Sequence, residues 1–272
     1  MKTYALGIDV GSTTVKTVVC EGNGSILHSA YQRHFSKVKE TVSEQLRVIA
    51  EKFPDAQFRT AMAGSAGLGL ANAANITFVQ EVHAAFQAVK AVYPQADTVI
   101  ELGGEDAKII FLTGGVEQRM NGSCAGGTGA FIDQMATLLG ITVEELDKAS
   151  LKATRTYPIA SRCGVFAKSD IQPLLNQGAA REDIAASIFR AVVDQTVAGL
   201  AQGREIKGNV LFLGGPLSFQ KGLRKAFVDT LGLTEGQAMF PEEAPVFVAL
   251  GSALYAAQSK ASPKTAQGLL KK

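Results

Sequence analysis

Two stretches of the sequence place an acidic residue at the end of an apolar strand, directly before a glycine-rich turn. The first stretch, residues 4–20, contains Asp9, Gly11, Ser12, Thr13, Thr14 and Lys16. The second, residues 98–112, contains Glu101, Gly103, Gly104 and Glu105. Glycines let backbone N–H groups approach phosphate oxygens closely, and hydroxyls add further donors. Because the pattern occurs twice, it predicts a nucleotide site in which both turns contact phosphate.

The acidic residues indicate how such a site would act on a nucleotide. Asp9 is expected to hold a hydrated Mg²⁺, an ion that usually keeps several waters. Glu101 or Glu105 would orient the attacking water, since positioning and electrostatic stabilisation dominate phosphoryl transfer. The residues assigned to binding of ATP or ADP are Gly11, Ser12, Thr13, Thr14, Lys16, Gly103, Gly104, Gly127, Gly214, Gly215 and Pro216.

Two of the glycine groups occur late in the chain. Gly214, Gly215 and Pro216 follow the apolar run at residues 209–213, and a helix is predicted to begin near Ser218. This placement suits a contact with adenosine. The run at residues 249–254 is rich in small side chains, which allow two helices to pack closely, as a hinge between lobes requires.

The chain has three cysteines, and two of them lie at predicted loop–helix boundaries. Cys124 precedes the helix that carries Phe131, Cys163 precedes a second helix, and Cys20 lies in a strand. Free cysteines are usually small buried hydrophobes, which is the interpretation for Cys20. For the other two the alternative is a 4Fe–4S cluster. Two thiolates cannot complete a four-cysteine site, but a two-fold dimer supplies four.

The elements that position these residues also repeat. Each phosphate turn lies in a predicted three-stranded meander, and an internal repeat implies two related lobes facing each other. Apolar stripes predict helices at about residues 38–53 and 182–202. We expect an α/β chain in which each lobe is a mixed sheet flanked by helices. The predicted bounds are 1–95 with 246–262 for lobe I, 96–245 for lobe II, and 263–272 for a flexible tail.

Composition and motifs argue against several other classes of protein. The 272 residues have a formal net charge of +2 with dispersed basic residues, so no nucleic-acid surface is expected. We expect no signal peptide and no membrane span, because no charged leader and no apolar run of about 18 residues is evident. An odd cysteine count then indicates reduced thiols in the cytoplasm. The P-loop motif is absent, and Gly126–Gly129 lacks dinucleotide-binding spacing.

The four glycine groups, in this order, resemble the superfamily of acetate kinases, sugar kinases, chaperones and actin. This resemblance covers nearly the whole chain. It implies a two-lobed, actin-like and ribonuclease H-like ATPase fold of βββαβα lobes, with ATP in the cleft between them.

The cysteine segments, together with the phosphate turns, resemble the activators of 2-hydroxyacyl-CoA dehydratases, the BadF/BadG/BcrA/BcrD ATPase family. Cys124 and Cys163 fall on the two cluster ligands of that family, although Gly122 and Ser123 replace its usual Asp-Lys pair. The resemblance implies a homodimer with one 4Fe–4S cluster at its interface. ATP hydrolysis would drive a low-potential electron from a ferredoxin or flavodoxin into a dehydratase or reductase partner.

Two other functions fit the same fold. A sugar or carboxylate kinase would need a substrate pocket and no cluster, and no catalytic Asp in a sugar-binding loop is evident between the phosphate motifs. An actin- or chaperone-like ATPase would have no redox role. Bound iron distinguishes the activator from both. The histidines His28, His34 and His83 are expected to be structural.

Overall fold

The computed structural model describes residues 2–121 and 126–270 of the chain. In chain order, the strands of this part are β1 (Lys2–Val10), β2 (Thr14–Cys20), β3 (Ile26–Arg33), β4 (Ala56–Ala63), β5 (Thr77–Phe78), β6 (Thr98–Leu102), β7 (Ala107–Phe111), β8 (Glu117–Met120), β9 (Val210–Leu213) and β10 (Ala238–Met239). The helices are α1 (Val38–Lys52), α2 (Gly67–Ala74), α3 (Glu81–Val92), α4 (Gly129–Leu139), α5 (Val143–Ser150), α6 (Gly164–Asn176), α7 (Arg181–Thr196), α8 (Gly215–Phe219), α9 (Lys221–Leu231), α10 (Phe247–Gln258) and α11 (Ala266–Leu270). A π-helical turn, Val197–Ala201, continues α7.

The chain divides into two compact units. Unit 1 contains residues 1–94 and 245–272, and unit 2 contains residues 95–244. Unit 2 is therefore continuous in sequence, whereas unit 1 is assembled from both ends of the chain.

The two units contain sheets of the same topology. The strand order is β3-β2-β1-β4-β5 in unit 1 and β8-β7-β6-β9-β10 in unit 2, when the second sheet is read from β8. β1 pairs antiparallel with β2 and parallel with β4, and β6 pairs in the same way with β7 and β9. The predicted repeat of two meanders is confirmed, as is the fold class of two mixed sheets flanked by helices.

The sheet of unit 1 is covered by helices drawn from both chain segments. Leu6, Ile8 and Val10 of β1 belong to a core cluster with the apolar faces of α1 and α11. α10 packs against β1 so closely that a Cβ atom added to Gly7 would overlap the carbonyl oxygen of Ala249. Because six of the twelve residues of α10 are Ala, Gly or Ser, it can approach the backbone of the strand to this distance.

α7 forms the centre of unit 2. With its π-helical continuation it spans Arg181–Ala201, a length and composition that would allow it to cross a membrane. However, 61% of its most apolar window is buried inside the protein, and Ile184, Ile188 and Val192 belong to the core of unit 2. The helix is therefore accounted for as a core element.

Two local features of the structure differ from what the sequence led us to expect. Residues 263–272 were expected to be a flexible tail, yet Lys264 exchanges two backbone hydrogen bonds with Phe58, at 2.8 and 2.9 Å. Ala266 and Leu269 of α11 are buried in the core of unit 1, so residues 264–270 pack on this unit. The helix after β9 begins at Gly215 instead of near Ser218, because Pro216 fits the first turn of a helix.

Candidate nucleotide and cysteine sites

The first predicted phosphate turn, residues 11–14 (turn 1), joins β1 to β2. The N–H of Gly11 donates to the carbonyl oxygen of Thr14 at 3.0 Å, which closes the turn. Asp9 and Lys16 are opposite each other in the strand register, and Lys16 Nζ lies 2.8 Å from Asp9 Oδ2. Asp9 and Thr14 are buried, Thr13 is half-buried and Ser12 is exposed. A buried carboxylate, an ammonium group and a glycine-containing turn therefore meet at the end of β1.

The second predicted phosphate turn, residues 103–106 (turn 2), joins β6 to β7. The N–H of Gly103 donates to the carbonyl oxygen of Asp106 at 2.8 Å. Glu101 is opposite Lys108 in the register, and the Lys108 ammonium lies 4.0 Å from Glu101 Oε1 and 2.9 Å from Asp106 Oδ2. Glu101 is half-buried, and Glu105 is exposed at the turn.

The two turns share one cross-strand arrangement that the sequence analysis missed. In both units a lysine follows the strand-end acid by seven positions and faces it across the hairpin, as Lys16 faces Asp9 and Lys108 faces Glu101. Lys108 and Asp106 are not among the residues that the sequence predicts for the site. The repeated acid-to-lysine spacing was the signal that would have identified Lys108.

Turn 2 is hydrogen-bonded to the first residues of α4. The N–H of Gly129 donates to the carbonyl oxygen of Gly103 at 3.0 Å, and the N–H of Ala130 donates to that of Gly104 at 2.7 Å. Two of the N–H groups that a helix start leaves without an internal partner are thus satisfied by the turn. Turn 2 and the start of α4 are therefore joined directly by hydrogen bonds.

The third glycine group, residues 214–216, lies near turn 2 in unit 2. Gly214 has a φ of 91°, and a Cβ atom at this position would overlap the carbonyl oxygen of Leu102 at the end of β6. A side chain built on Gly129 would lie 3.3 Å from Cγ of Pro216. Gly214, Gly215 and Pro216 therefore lie beside turn 2, and their contact with adenosine stays a prediction. Gly127 packs against α7, where a Cβ atom would lie 3.2 Å from Gln195 and Thr196.

The cysteines occupy different environments. Cys163 is the residue before α6; its thiol is half-buried and does not cap the helix. Cys20 is completely buried on β2, and burial raises the pKa of its thiol to about 11. This confirms the interpretation of Cys20 as a core residue. Cys124 lies outside the described residues, together with Gly122 and Ser123.

The segment that leads to Cys163 has no regular secondary structure and is held by side chains of α7. Asp183 accepts hydrogen bonds from the N–H groups of Thr154 and Arg155, at 2.8 and 3.2 Å. These donors hold the pKa of Asp183 below its usual range. Further along, Ser161 Oγ donates to Gln195 Oε1 at 3.3 Å. The approach to Cys163 is therefore fixed against the core helix of unit 2.

α6 also packs directly on α4. A Cβ atom added to Gly164, the first residue of α6, would overlap the amide group of Gln134 on α4. Cys163 is consequently placed beside the helix whose N-terminus holds turn 2. Within residues 2–121 and 126–270, no three His, Cys, Asp or Glu side chains are grouped so that they could hold a metal ion.

Two sheets of equal topology, each with a strand-end acid before a glycine-rich turn, define an ATPase of the actin-like fold. The sequence profile of the BadF/BadG/BcrA/BcrD ATPase family matches residues 6–256. The chain therefore belongs to this family, and the predictions of family, fold and ATPase class are confirmed.

Individual relatives can be aligned with almost the whole chain, in sequence and in structure. The sequence is 34% identical over 263 residues to the (R)-2-hydroxyglutaryl-CoA dehydratase activating ATPase of Acidaminococcus fermentans, covering 94% of this chain and 98% of the relative. The crystal structure of component A of that dehydratase superposes with a TM-score of 0.83 at 31% identity, covering 94% and 98% of the two chains. The activator of the 2-hydroxyisocaproyl-CoA dehydratase from Clostridium difficile, solved with bound ADPNP, superposes with a TM-score of 0.79 at 27% identity, covering 93% and 94%.

Proposed function

We propose that this protein is an ATP-hydrolysing activator that delivers a low-potential electron to an iron–sulfur partner of the dehydratase or reductase type. Relatives matched over nearly their full length are activators of CoA dehydratases, which supports this role. A ferredoxin or flavodoxin would supply the electron, and the protein would act as a homodimer in the cytoplasm.

The nucleotide-binding part of the proposal rests on the two turns. Gly11 and Gly103 would shape the two turns, backbone N–H groups of residues 12–14 and 104 would contact phosphate, and Lys16 would add a positive charge. Asp9 suits a hydrated Mg²⁺, because Mg²⁺ bound with a nucleotide takes most of its ligands from phosphates and waters and needs few carboxylates. Glu101 or Glu105 would orient the attacking water. Glu101 is the better placed of the two for a fixed role, since it is half-buried beside Lys108, whereas Glu105 is exposed.

The hydrogen bonds from Gly129 and Ala130 to turn 2 are the observation that carries the proposal. A nucleotide can shift a conformational equilibrium only if it binds the two states with different affinity. A phosphate group that repositions the carbonyls of Gly103 and Gly104 would act on the start of α4 without any intervening element. α4 directly follows the segment that contains Cys124, and it packs against the start of α6 beside Cys163.

The surroundings of Cys163 support the proposed cluster. When bound, a 4Fe–4S cluster supplies a one-electron carrier of low potential. Cys163 offers a half-buried thiol that makes no cap with α6, and the N-terminus of a 13-residue helix favours an anionic ligand. Cys124 would be the second ligand, and the same two residues of a second chain would complete a four-cysteine site.

The proposal is tested by anaerobic reconstitution with iron and sulfide. We expect a brown dimer with about four iron atoms per two chains, and no iron uptake by Cys124→Ser or Cys163→Ser. Cys20→Ser is the matched control and should take up as much iron as the wild type. Turnover of MgATP is measured in parallel for the wild type and for Gly104→Asp. This substitution puts a negative charge beside the phosphate and should abolish binding of MgATP. A wild-type protein that hydrolyses ATP but stays colourless would replace the activator with a kinase or a non-redox ATPase.

A further inference from the structure

His34 lies against turn 1 and is only 7% exposed. Its Nε2 atom is 3.2 Å from the carbonyl oxygen of Gly11, and its backbone N–H donates to the carbonyl oxygen of Thr13 at 3.1 Å. One residue, 23 positions away in sequence, therefore holds the first and third residues of the turn.

The partners of the imidazole ring define its protonation. The carbonyl oxygen of Gly11 can only accept, so Nε2 must carry the hydrogen. The N–H of Ser36 lies 3.1 Å from Nδ1 and can only donate, so Nδ1 must be bare. His34 is thus the neutral Nε2–H tautomer, and both ring nitrogens are satisfied.

The chain bends sharply after His34. Phe35 and Ser36 have φ values of 45° and 65°, a left-handed conformation that residues with a side chain rarely adopt. The bend is closed by the N–H of Lys37, which donates to the carbonyl oxygen of His34 at 2.7 Å. Strained backbone of this kind persists only where its surroundings over-determine it, and it concentrates at functional sites.

The planar peptide bond links each carbonyl that His34 holds to the N–H group of the next residue. The described residues contain no cis peptide bonds, so each carbonyl points opposite to the N–H of the next residue. When His34 holds the carbonyl of Gly11, it fixes the direction of the Ser12 N–H. When it holds the carbonyl of Thr13, it fixes that of Thr14. Both N–H groups then point away from His34.

We infer that His34 is a positioning residue for nucleotide binding, which presets two N–H donors of turn 1 for a phosphate group. This role rests on the proposed binding of ATP at turn 1. His34 acts through Gly11 and Thr13 and makes no contact with the nucleotide itself. Preset donors bind more tightly because less conformational freedom is lost on binding.

Two substitutions of His34 test the two hydrogen bonds of its ring one at a time. In His34→Gln the amide nitrogen can take the place of Nε2 and keep the bond to Gly11. In His34→Asn the amide oxygen can take the place of Nδ1 and keep the bond to Ser36, but the carbonyl of Gly11 loses its donor. His28→Gln is the matched control, since His28 lies on the adjacent strand β3 and bonds to Lys52.

The affinity for MgADPNP is measured by titration calorimetry, and the melting temperature of each variant is measured alongside. We expect His34→Asn to bind roughly tenfold more weakly, as loss of one buried hydrogen-bond donor predicts. His34→Gln should stay within about threefold of the wild type, and His28→Gln should bind like the wild type. Equal affinity of His34→Asn and wild type would overturn the inference and leave the proposed function standing. A wild-type protein that does not bind MgADPNP would overturn both.

A measurement on the wild-type protein keeps the inference testable if the variants do not fold. In protein labelled with ¹⁵N in its histidine rings, the proton–nitrogen correlation spectrum should show the Nε2–H tautomer for His34, and its signals should move when MgADPNP is added. An Nδ1–H tautomer, or signals that do not respond to the nucleotide, would overturn the inference.

Discussion

A Cβ atom added to Gly126 would lie 2.5 Å from the carbonyl oxygen of Ser161. The carbonyl oxygen of Arg162 would be 3.0 Å away, so the chain before α4 and the chain before α6 meet backbone to backbone. Each of these segments contains a proposed cluster ligand, Cys124 before Gly126 and Cys163 after Ser161. The contact holds together the two parts of the sequence that must converge if one metal group is to bind both.

Gly126→Ala should therefore separate the two segments. Backbone atoms cannot yield as the end of a side chain can, so we expect a loss of about 1–3 kcal/mol in the free energy of unfolding. Iron uptake on anaerobic reconstitution should fall with it. Gly69→Ala is the control, because a Cβ atom there meets nothing within 4 Å. Wild-type melting and iron content in Gly126→Ala would show that the contact is not needed.

The thiols should differ in reactivity in the metal-free protein. In a Cys124→Ser background, a maleimide at pH 8 should modify Cys163 and leave Cys20 unmodified until the protein is denatured. Cys20 is completely buried and its pKa is about 11, so the reactive thiolate is scarce. Intact-mass spectrometry counts the adducts, and Cys163→Ser in the same background identifies the site. Two adducts on the native protein would contradict the assignment of Cys20 to the core.

Asp9→Asn should impair hydrolysis of ATP. The change removes the carboxylate expected to hold Mg²⁺ and also the partner of Lys16. Because a metal ion contributes several kcal/mol to charge stabilisation, the rate should fall at least about 100-fold. Phosphate release is the measurement, and Asp55→Asn, which changes an exposed carboxylate in the same unit, is the control. Turnover equal to that of the wild type would remove Asp9 from the site.

Asp183 should contribute stability in a pH-dependent way. Hydrogen bonds from Thr154 and Arg155 lower its pKa in the folded state. The stabilisation is therefore complete above the ordinary pKa of an aspartate, about 3.9, and is lost as the pH falls through the lowered value. The melting temperature of Asp183→Asn should lie below that of the wild type by a constant amount from pH 7 to 5, and the gap should narrow below about pH 4. A gap that persists unchanged at pH 3 would contradict this.

Features set by neighbouring residues could be predicted from the sequence. The meanders, the turns and the loop–helix boundary at Cys163 depend on strand alternation and on glycines over short windows, and these are local signals. The bond from His34 to Gly11 is not local, since it requires β3 to return the chain to turn 1. The sequence alone therefore predicts only a structural role for His34.

The packing of residues 264–270 is also not visible in a local signal. Residues 259–265 are mostly polar or small, which is typical of a mobile tail. Only the docking of Ala266 and Leu269 and the pairing of Lys264 with Phe58 explain the observed order. The roles of Glu101 and Glu105 depend on where a phosphate group lies, and they stay a prediction.

The packing of α10 on β1 has a consequence for biosynthesis. The ribosome makes Gly7 long before Ala249, because the whole of unit 2 lies between them in the sequence. Unit 2 can thus complete its core during translation, as domains generally do. The sheet of unit 1, by contrast, keeps one apolar face uncovered until α10 has been translated. A nascent chain that stalls before residue 247 would expose this face, and it would be a substrate for chaperones and proteases even with unit 2 fully folded.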